Sequence, residues 1–345
     1  MTVVTRFAPS PTGDLHLGHV YSASFARDRA LGCGGRFLIR IEDIDRGRCR
    51  AEFVARNLED LAWLGLTWEE PVLRQSGRME AYRAALCRLD DLGVVYPCFC
   101  TRRQIRDEIA RAGGAPHADA ADAGALYPGT CRRLDPAQRA DRQAGGEPYA
   151  LRLDARAAAS LTGPLTWIDL AAGTRPVDLS RHGDVVIARK DIPTSYHVAV
   201  VVDDAAQGVS EVTRGEDLLD STPVHRLLYC LLGLPVPVWH HHRLCRDAAG
   251  RRLAKRDGDT SVRALRRQGL SPASVLALAT RAADAAGSNV PSAGGHDGDF
   301  GTGSGVLAAD GSGRCTPVPS SGGGSGRRSL NSSITVRSHS GTPDR

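Results

Sequence analysis

A proline-rich turn near the N-terminus constrains the fold of this chain more than any other feature. The apolar segment from Val3 to Ala8 meets two prolines and a glycine, and His16-Leu17-Gly18-His19 then begins a predicted helix. A helix N-terminus that follows a strand attracts phosphate, because its backbone N–H groups and the positive end of its dipole point at the ligand. Two imidazoles one turn apart can donate to phosphate or ribose oxygens, and Gly18 leaves room for a base. The segment therefore predicts a nucleotide site.

Composition narrows the class of protein. The 345 residues carry a formal net charge of +5, which permits a nucleic-acid partner without proving one. No charged-then-apolar leader and no apolar run of about 18 residues is present, so we expect neither secretion nor a membrane span. The nine cysteines are scattered and odd in number, which favours free thiols and a metal site over disulfides. We expect a cytoplasmic monomer without membrane association.

Only two of the 44 basic side chains are lysines, Lys190 and Lys255. Neither follows a glycine, so ATP bound to this chain would not occupy a Walker A loop. Lys255 lies in the segment Arg252-Leu253-Ala254-Lys255-Arg256, and such basic clusters are usually solvated loops.

Alternating strand and helix patterns predict the fold class α/β, with a Rossmann-like doubly wound parallel sheet interrupted by an inserted α+β subdomain. Helices are predicted at about 18–31, 51–64, 77–92 and 220–232, and strands at 37–41, 149–153 and 184–188. The apolar segment that ends in Asp203 and Asp204 is interpreted as another strand, whose end would face the ligand crevice. Ser76 is the expected N-cap of the third helix.

The same pattern predicts five segments. They are the first half of the catalytic domain (1–94), the inserted subdomain (95–182), the second half (183–235), a loop with a short helical region (236–286), and a tail (287–345). In the tail, 26 of 59 residues are Gly or Ser. Such a composition cannot bury enough surface to offset the entropy of ordering, so we expect the tail to be disordered.

Cys98-x-Cys100 and the later Tyr127-x-x-x-Cys131 form a second candidate site. Three thiolates and one further donor would make a closed tetrahedral zinc site. The spacing alone leaves metal binding and free, partly buried thiols equally open. Tyrosine is an unusual zinc ligand because its phenol must lose a proton, and His117 is the alternative fourth donor.

Arg6, Glu42 and Arg214 suit a substrate that carries two carboxylates and an ammonium group. Each arginine can bind a carboxylate in a bidentate manner, and an acidic residue at a strand end can bind the ammonium. The alternative for Arg6 is an ordinary surface charge.

Together these motifs resemble the class I aminoacyl-tRNA synthetases of the glutamyl and glutaminyl branch. Arg6-Phe7-Ala8-Pro9-Ser10-Pro11-Thr12-Gly13 with His16 to His19 resembles the first signature of the class. The segment 252–256 resembles the second, a mobile loop whose lysine stabilises the α-phosphate, although Arg252 and Ala254 replace its usual lysine and serine. The segments 200–204 and 214–218 also match the family in order, and the resemblance covers about residues 3–285.

The resemblance implies site residues and cofactors. His16, Gly18, His19 and Lys255 would bind ATP with its Mg²⁺, and His16, His19 and Lys255 would be catalytic through charge stabilisation. Cys98, Cys100, Tyr127 and Cys131 would hold one structural Zn²⁺, as in the glutamyl-queuosine branch. The residues implied in the glutamate pocket are Arg6, Phe7, Ala8, Pro9, Ser10, Glu42, Tyr196 and Arg214.

The resemblance also implies a reaction with ATP, L-glutamate and tRNA(Asp). Glutamate would be activated to glutamyl-adenylate without tRNA, and the acyl group would pass to an RNA hydroxyl. Only about 30 patterned residues follow Lys255, too few for the helical anticodon-binding domain of a full glutamyl-tRNA synthetase. The architecture resembles instead the branch that attaches glutamate to queuosine in the anticodon of tRNA(Asp). The alternatives are a truncated synthetase charging tRNA(Glu) at its 3′ end, and a non-catalytic RNA-binding paralogue.

Overall fold

A computed structural model describes residues 2–111, 126–246 and 261–285. The strands are β1 (Val4–Phe7), β2 (Arg36–Ile41), β3 (Glu69–Arg74), β4 (Val95–Cys98), β5 (Ala150–Leu153), β6 (Thr166–Asp169), β7 (Gly173–Pro176), β8 (Val186–Ala188), β9 (Glu211–Gly215) and β10 (Val238–His242). The α-helices are α1 (Leu17–Gly32), α2 (Ala51–Trp63), α3 (Met79–Asp91), α4 (Arg102–Arg111), α5 (Pro136–Ala144), α6 (Ala155–Thr162), α7 (Tyr196–Ala206), α8 (Thr222–Leu231), α9 (Val262–Arg267) and α10 (Pro272–Asp284).

Parallel strands form the centre of the fold. Strand β2 pairs in parallel with β1 and with β3, and β10 pairs in parallel with β9 and with β6. The two sheets meet where β1 lies beside β9, because the Ser210 N–H donates to the Val4 carbonyl at 3.0 Å. This arrangement confirms the predicted α/β class with a parallel sheet. The strand order reverses between β1 and β9, and ligands of doubly wound folds bind at the carboxyl ends of the strands beside such a point.

Most of the predicted helices and strands are confirmed. Helices α1, α2, α3 and α8 lie within two residues of their predicted bounds, and so do strands β2 and β5. Helix α1 packs on the sheet through small buried side chains at three- and four-residue spacing: Val20, Ala23, Ala26 and Ala30.

Two local predictions are wrong. The segment that ends in Asp203 and Asp204 is helix α7 and not a strand. Its residues Val198–Val201 are all buried, so the sequence lacks the polar face that would reveal a helical period. Ser76 does not cap α3, which begins at Met79 after Arg78; the Ser76 N–H and hydroxyl donate instead to Asp43, at 2.7 and 2.8 Å.

The inserted region contributes to two sheets. Strands β4, β5 and β8 form an antiparallel sheet, so the strand predicted at 184–188 pairs with a strand of the predicted insert and does not resume the parallel sheet. Strand β6, in contrast, pairs in parallel with β10, and β7 continues that sheet antiparallel to β6. The five domain boundaries stay predictions, but the boundary at 182 separates β8 from its partner strand.

Three predictions of the sequence analysis fall on other residues. The second signature with Arg252, Ala254 and Lys255, the alternative ligand His117, and the tail from 287 all lie outside the described residues. Among the described helices, none is both long enough and apolar enough to cross a bilayer.

Asp60 of α2 makes the stability of the fold depend on pH. Its side chain is fully buried, and neither carboxylate oxygen has a hydrogen-bond partner among the described residues. The Arg263 Nε atom lies 3.5 Å away, but burial outweighs this charge and raises the pKa of Asp60 to about 6. Because an unfolded aspartate has a pKa of about 4, the native state loses stability as the pH rises from about 4 to about 6.

We therefore expect Asp60→Asn to increase the free energy of unfolding by about 1–3 kcal/mol at pH 7.5 and to change it little at pH 3.5. Urea denaturation at both pH values measures the difference. Asp141→Asn, at an exposed position of α5, is the matched control and should have no such effect. If Asp60→Asn instead lowers the free energy of unfolding at pH 7.5, Asp60 is a net stabilising partner of Arg263.

Candidate active site

Buried Arg214 is the centre of the candidate active site. It stands on β9 with 4% of its surface exposed. Its Nε donates to His241 Nε2 at 3.1 Å, its Nη2 donates to Thr222 Oγ1 at 2.7 Å, and its Nη1 faces His225 Nδ1 at 3.0 Å and the Tyr196 hydroxyl at 3.4 Å. These contacts use four of the five N–H groups that an arginine carries.

The partners of Arg214 are all neutral. Burial lowers the pKa of His225 well below its usual value, and burial with the charge of Arg214 lowers that of His241 to about 4. No carboxylate of the described residues forms an ion pair with Arg214, and burial lowers its own pKa. A buried guanidinium without a counter-ion is costly, and an incoming carboxylate would relieve that cost.

His241 is a site residue that the sequence analysis misses. Its Nδ1 donates to Asp169 Oδ2 at 2.5 Å, which leaves Nε2 as the acceptor that faces Arg214. Burial opposes the ionisation of Asp169, but hydrogen bonds from His241 and two backbone N–H groups outweigh it and lower its pKa. His241 pairs with Arg214 in the register of β9 and β10, so only the strand pairing reveals it.

Arg6 occupies a different position from the one predicted. Its Nε and Nη2 donate to the two oxygens of Asp204, at 2.9 and 3.2 Å, and its Nη1 donates to the Thr213 carbonyl at 2.9 Å. The bidentate edge expected to bind a substrate carboxylate is therefore bound to Asp204 of the protein itself. Direct contact between Arg6 and glutamate stays a prediction.

A second buried arginine connects Asp204 to Glu42. Arg40 donates from Nη1 to Asp204 at 2.6 Å and from Nη2 to Glu42 at 3.2 Å. Burial opposes the charge of Arg40, but the two carboxylates outweigh it and raise its pKa. Burial raises the pKa of Glu42 although Arg40 and Arg6 act against it. The predicted ammonium ligand thus lies at the end of β2 within a charged network.

Asp203 and Asp204, near the end of α7, bind different sets of side chains. Asp204 binds Arg6 and Arg40, whereas Asp203 accepts hydrogen bonds from Gln75, Arg78 and Tyr82 at 2.5–3.0 Å. Both are structural partners on a helix, which corrects the expectation that they end a strand at the ligand crevice.

The first signature forms an N-terminal cap made of two histidines. His16 is the N-cap of α1, and its Nδ1 accepts from the Gly18 N–H at 3.1 Å, while His19 Nδ1 accepts from the His16 N–H at 3.2 Å. The ring centroids are 3.8 Å apart. Because each Nδ1 accepts, each neutral ring carries its proton on Nε2, the atom that could donate to a phosphate or ribose oxygen.

The remaining signature residues shape the turn beside this cap. Phe7 is buried and packs edge-on to His19 at 6.4 Å. Pro9 is buried and its carbonyl accepts from the Glu42 N–H at 3.1 Å, whereas Ala8 is half-buried and Ser10 is exposed. The turn therefore joins the histidine cap to the end of β2.

The first described residues after the second signature, Ser261 and Val262, lie beside the histidine cap. Ser261 forms an antiparallel bridge with His16, and the Val262 N–H donates to the Leu15 carbonyl at 2.8 Å.

The predicted metal ligands converge in the insert. The Sγ atoms of Cys98, Cys100 and Cys131 all lie within 4.8 Å of one another, and those of Cys100 and Cys131 are 3.5 Å apart. The Tyr127 hydroxyl is 3.6 Å from Cys100 Sγ and accepts from the Cys131 N–H at 2.8 Å. Tetrahedral zinc with Zn–S bonds of about 2.3 Å needs sulfur atoms about 3.8 Å apart, so these residues fit the ion.

The cluster also favours a thiolate. Hydrogen bonding with Cys98, and further hydrogen bonds from Tyr127 and the Phe99 N–H, lower the pKa of Cys131 to about 4. Hydrogen bonding to Cys131 and burial raise the pKa of Cys98, and burial raises those of Cys100 and Tyr127. The site thus concentrates negative charge on Cys131, as a cation ligand requires.

Comparison with known proteins decides the family. The family model for the catalytic domain of class I tRNA synthetases (E and Q) matches residues 2–287. The chain belongs to this family. It is therefore a ligase of the class I tRNA synthetase type, related to enzymes that use glutamate and tRNA.

Individual members of the class I synthetase family support the same assignment. A glutamyl-Q tRNA(Asp) synthetase from Rhodobacter capsulatus is 50% identical, over 80% of this chain and 99% of the relative. The protein of the same name from Nocardia farcinica is 48% identical, over 80% and 83%. Among solved structures, a glutamate tRNA ligase from Elizabethkingia meningosepticum in complex with its amino acid is 30% identical and superposes with a TM-score of 0.64. The match covers 75% of this chain and 53% of the ligase chain.

The histidine cap of this class I synthetase predicts a strict requirement for Gly18. A Cβ atom there would lie 3.0 Å from Cε1 and 3.1 Å from Nδ1 of His16, whose ring is already stacked on His19. We expect Gly18→Ala to displace the ring and to reduce kcat/KM for ATP by about 10- to 100-fold in pyrophosphate exchange. Gly32→Ala at the other end of α1 is the control, because its Cβ would contact nothing within 4 Å. Equal activity of the two variants would contradict a role for the cap geometry.

Proposed function

We propose that the protein activates L-glutamate with ATP in the absence of tRNA and transfers the glutamyl group to queuosine in the anticodon of tRNA(Asp). The observation that carries the activation half is Arg214, a buried cation surrounded by neutral side chains at the carboxyl end of β9. A dicarboxylic amino acid supplies the missing anion, whereas glutamine does not. The acceptor is supported by the names of the relatives at 48–50% identity.

The chemistry needs no protein nucleophile. An α-carboxylate oxygen of glutamate attacks the α-phosphorus of ATP, the bond to the bridging oxygen breaks, and pyrophosphate leaves with the electron pair. A queuosine hydroxyl oxygen then attacks the acyl carbon, its proton is lost, and AMP leaves with its oxygen. Catalysis rests on positioning and charge stabilisation.

The protein's own residues divide these tasks. Arg214 binds the side-chain carboxylate with Tyr196 beside it, and Glu42 binds the ammonium group. His16 and His19 donate from Nε2 to the nucleotide at the helix N-terminus. Lys255 stabilises the charge that develops on the α-phosphate. Mg²⁺ bound to ATP would supply positive charge at the phosphates of the substrate.

We also propose that Cys98, Cys100, Tyr127 and Cys131 hold a structural zinc ion. Their convergence and the lowered pKa of Cys131 support this set. A closed four-ligand site would stabilise the insert and leave no position for a reacting water.

Mass analysis of the RNA product tests the acceptor. tRNA(Asp) that contains queuosine is incubated with the protein, ATP and glutamate, then digested to nucleosides. We expect the glutamyl mass on queuosine. Glutamate on the 3′ adenosine, or preferential charging of tRNA(Glu), would contradict the proposal and favour a truncated glutamyl-tRNA synthetase.

Glutamate-dependent ATP–pyrophosphate exchange without RNA tests the activation half. We expect exchange in the wild type and a reduction of about 100-fold or more in Lys255→Ala, because a cation at the transferring phosphate acts mainly in the transition state. Lys190→Ala is the control, since the Lys190 Nζ donates to the Phe99 carbonyl in the insert at 2.7 Å. Absence of exchange in the wild type would favour a non-catalytic RNA-binding protein.

A further inference from the structure

A positively charged cavity lies beside the candidate active site. It has a volume of about 200 Å³ and is lined by Pro11, Asp43, Arg46, Arg50, Arg74 and Ser76, among others. Pro11 follows β1, Asp43 follows β2, and Arg74 is the last residue of β3. The cavity therefore spans the carboxyl ends of three parallel strands, the edge of such a sheet at which ligands bind.

The arginines of this cavity differ from their neighbours in having no anionic partner. Arg46, Arg50 and Arg74 are exposed, and no carboxylate of the described residues pairs with them. Nearby arginines are paired in contrast: Arg48 with Asp45 at 2.9 Å and Arg78 with Asp203 at 2.5 Å.

The one acidic side chain that lines the cavity is already engaged. Asp43 accepts the N–H of Ser76 on one oxygen and its hydroxyl on the other, at 2.7 and 2.8 Å. Three positive charges therefore face a single hydrogen-bonded carboxylate, and the lining keeps an excess of positive charge.

A helix N-terminus adds to the same charge. Helix α2 has 13 residues and begins at Ala51, which lines the cavity. Its N-cap, Arg50, makes no side-chain capping hydrogen bond. The first backbone N–H groups and the positive end of the helix dipole therefore act together with the arginine side chains.

Backbone hydrogen bonds connect the cavity to the first signature. The Arg50 N–H donates to the Pro11 carbonyl and the Glu42 N–H donates to the Pro9 carbonyl, both at 3.1 Å. Pro11 and Asp43 of the cavity are thus within two residues of Pro9 and Glu42 of the candidate glutamate pocket. The cavity adjoins that pocket on the side of β2 and β3.

We propose that this arginine pocket, formed by Arg46, Arg50 and Arg74, binds a backbone phosphate of the acceptor RNA next to the nucleotide that receives glutamate. The inference rests on the proposed function for the identity of the RNA. Phosphate is the ligand that arginine forks and helix N-termini share. RNA is favoured over ATP as its source, because the histidine cap that would bind the nucleotide lies at the start of α1, whereas the three arginines follow β2 or end β3.

The test compares activation with RNA binding in the full-length protein. The variants are Arg46→Ala, Arg50→Ala, Arg74→Ala and their triple combination, with Arg83→Ala on the exposed surface of α3 as the control. We expect glutamate-dependent ATP–pyrophosphate exchange within about twofold of the wild type in all of them. We expect the triple variant to bind queuosine-containing tRNA(Asp) about tenfold more weakly in filter binding at 100 mM salt, and to show a smaller dependence of log Kd on log salt.

The outcomes separate the two proposals. Unchanged RNA affinity and salt dependence in the triple variant would overturn the proposed arginine pocket. An increase in KM for ATP as large as the loss of RNA affinity would also overturn it, because the cavity would then bind the nucleotide. Absence of wild-type RNA binding would overturn it as well. If RNA binding depends on the pocket but no glutamate reaches queuosine, the proposed function fails and the pocket stands. Arg74→Lys keeps the charge and should recover most of the affinity lost in Arg74→Ala.

Discussion

Arg214→Ala is expected to reduce glutamate-dependent ATP–pyrophosphate exchange by about 10³-fold or more, because the site loses a buried cation that no carboxylate of the described residues pairs and that the substrate side chain would bind. Four neutral partners hold the guanidinium: His241, Thr222, His225 and Tyr196. Alanine removes the charge around which these side chains are arranged, while His241 keeps its hydrogen bond to Asp169 and His225 keeps its contact with His197. The loss should appear in kcat/KM for glutamate and not in KM for ATP.

Two further variants make the Arg214 result specific. Arg214→Lys keeps the charge but lacks the planar fork, so we expect a loss of about 10²-fold. Arg226→Ala removes an arginine of the neighbouring α8 whose Nε donates to the Thr166 carbonyl, and it should leave exchange unchanged. An Arg214→Ala protein with exchange within tenfold of the wild type, and with its fold intact by circular dichroism, would show that another residue binds the substrate carboxylate.

Replacement of Cys131 by serine is expected to abolish stoichiometric zinc binding and to destabilise the insert. Cys131 carries the lowered pKa of the cluster and lies against the other two thiols and the Tyr127 hydroxyl. Structural zinc supplies folding free energy directly, so a loss of about 3 kcal/mol or more is expected. At about 2–4 °C per kcal/mol, Tm should decrease by roughly 10 °C.

Metal content and thermal unfolding together test this expectation. Elemental analysis should find one zinc per chain in the wild type and in Cys33→Ser, an exposed cysteine outside the cluster, and far less in Cys131→Ser. Chelation should lower the Tm of the wild type towards that of the variant. A wild-type protein that carries no zinc and is insensitive to chelators would reduce the cluster to packed thiols.

Local sequence patterns predicted much of the scaffold and failed where burial removed the pattern. Helix α1 is marked by small apolar residues at helical spacing and by the histidine pair, so its bounds could be predicted. Helix α7 is buried on several sides, and an apolar segment without a polar face reads equally as a strand. The inserted subdomain stays a prediction, and within it β6 pairs with β10, a strand about 70 residues away, which no local pattern indicates.

The sequence by itself determined the family, the nucleotide signature and the candidate metal ligands, because each depends on residue types at short, fixed spacing. Only the tertiary structure decided which side chains surround Arg214 and which arginine remains available to a substrate. Arg6 and Arg214 look alike as residues, but the fold places Asp204 against Arg6, whereas the hydrogen-bond partners of Arg214 among the described residues are neutral. That difference arises from strand register and from the direction in which α7 points its aspartates, and both are set by long-range packing.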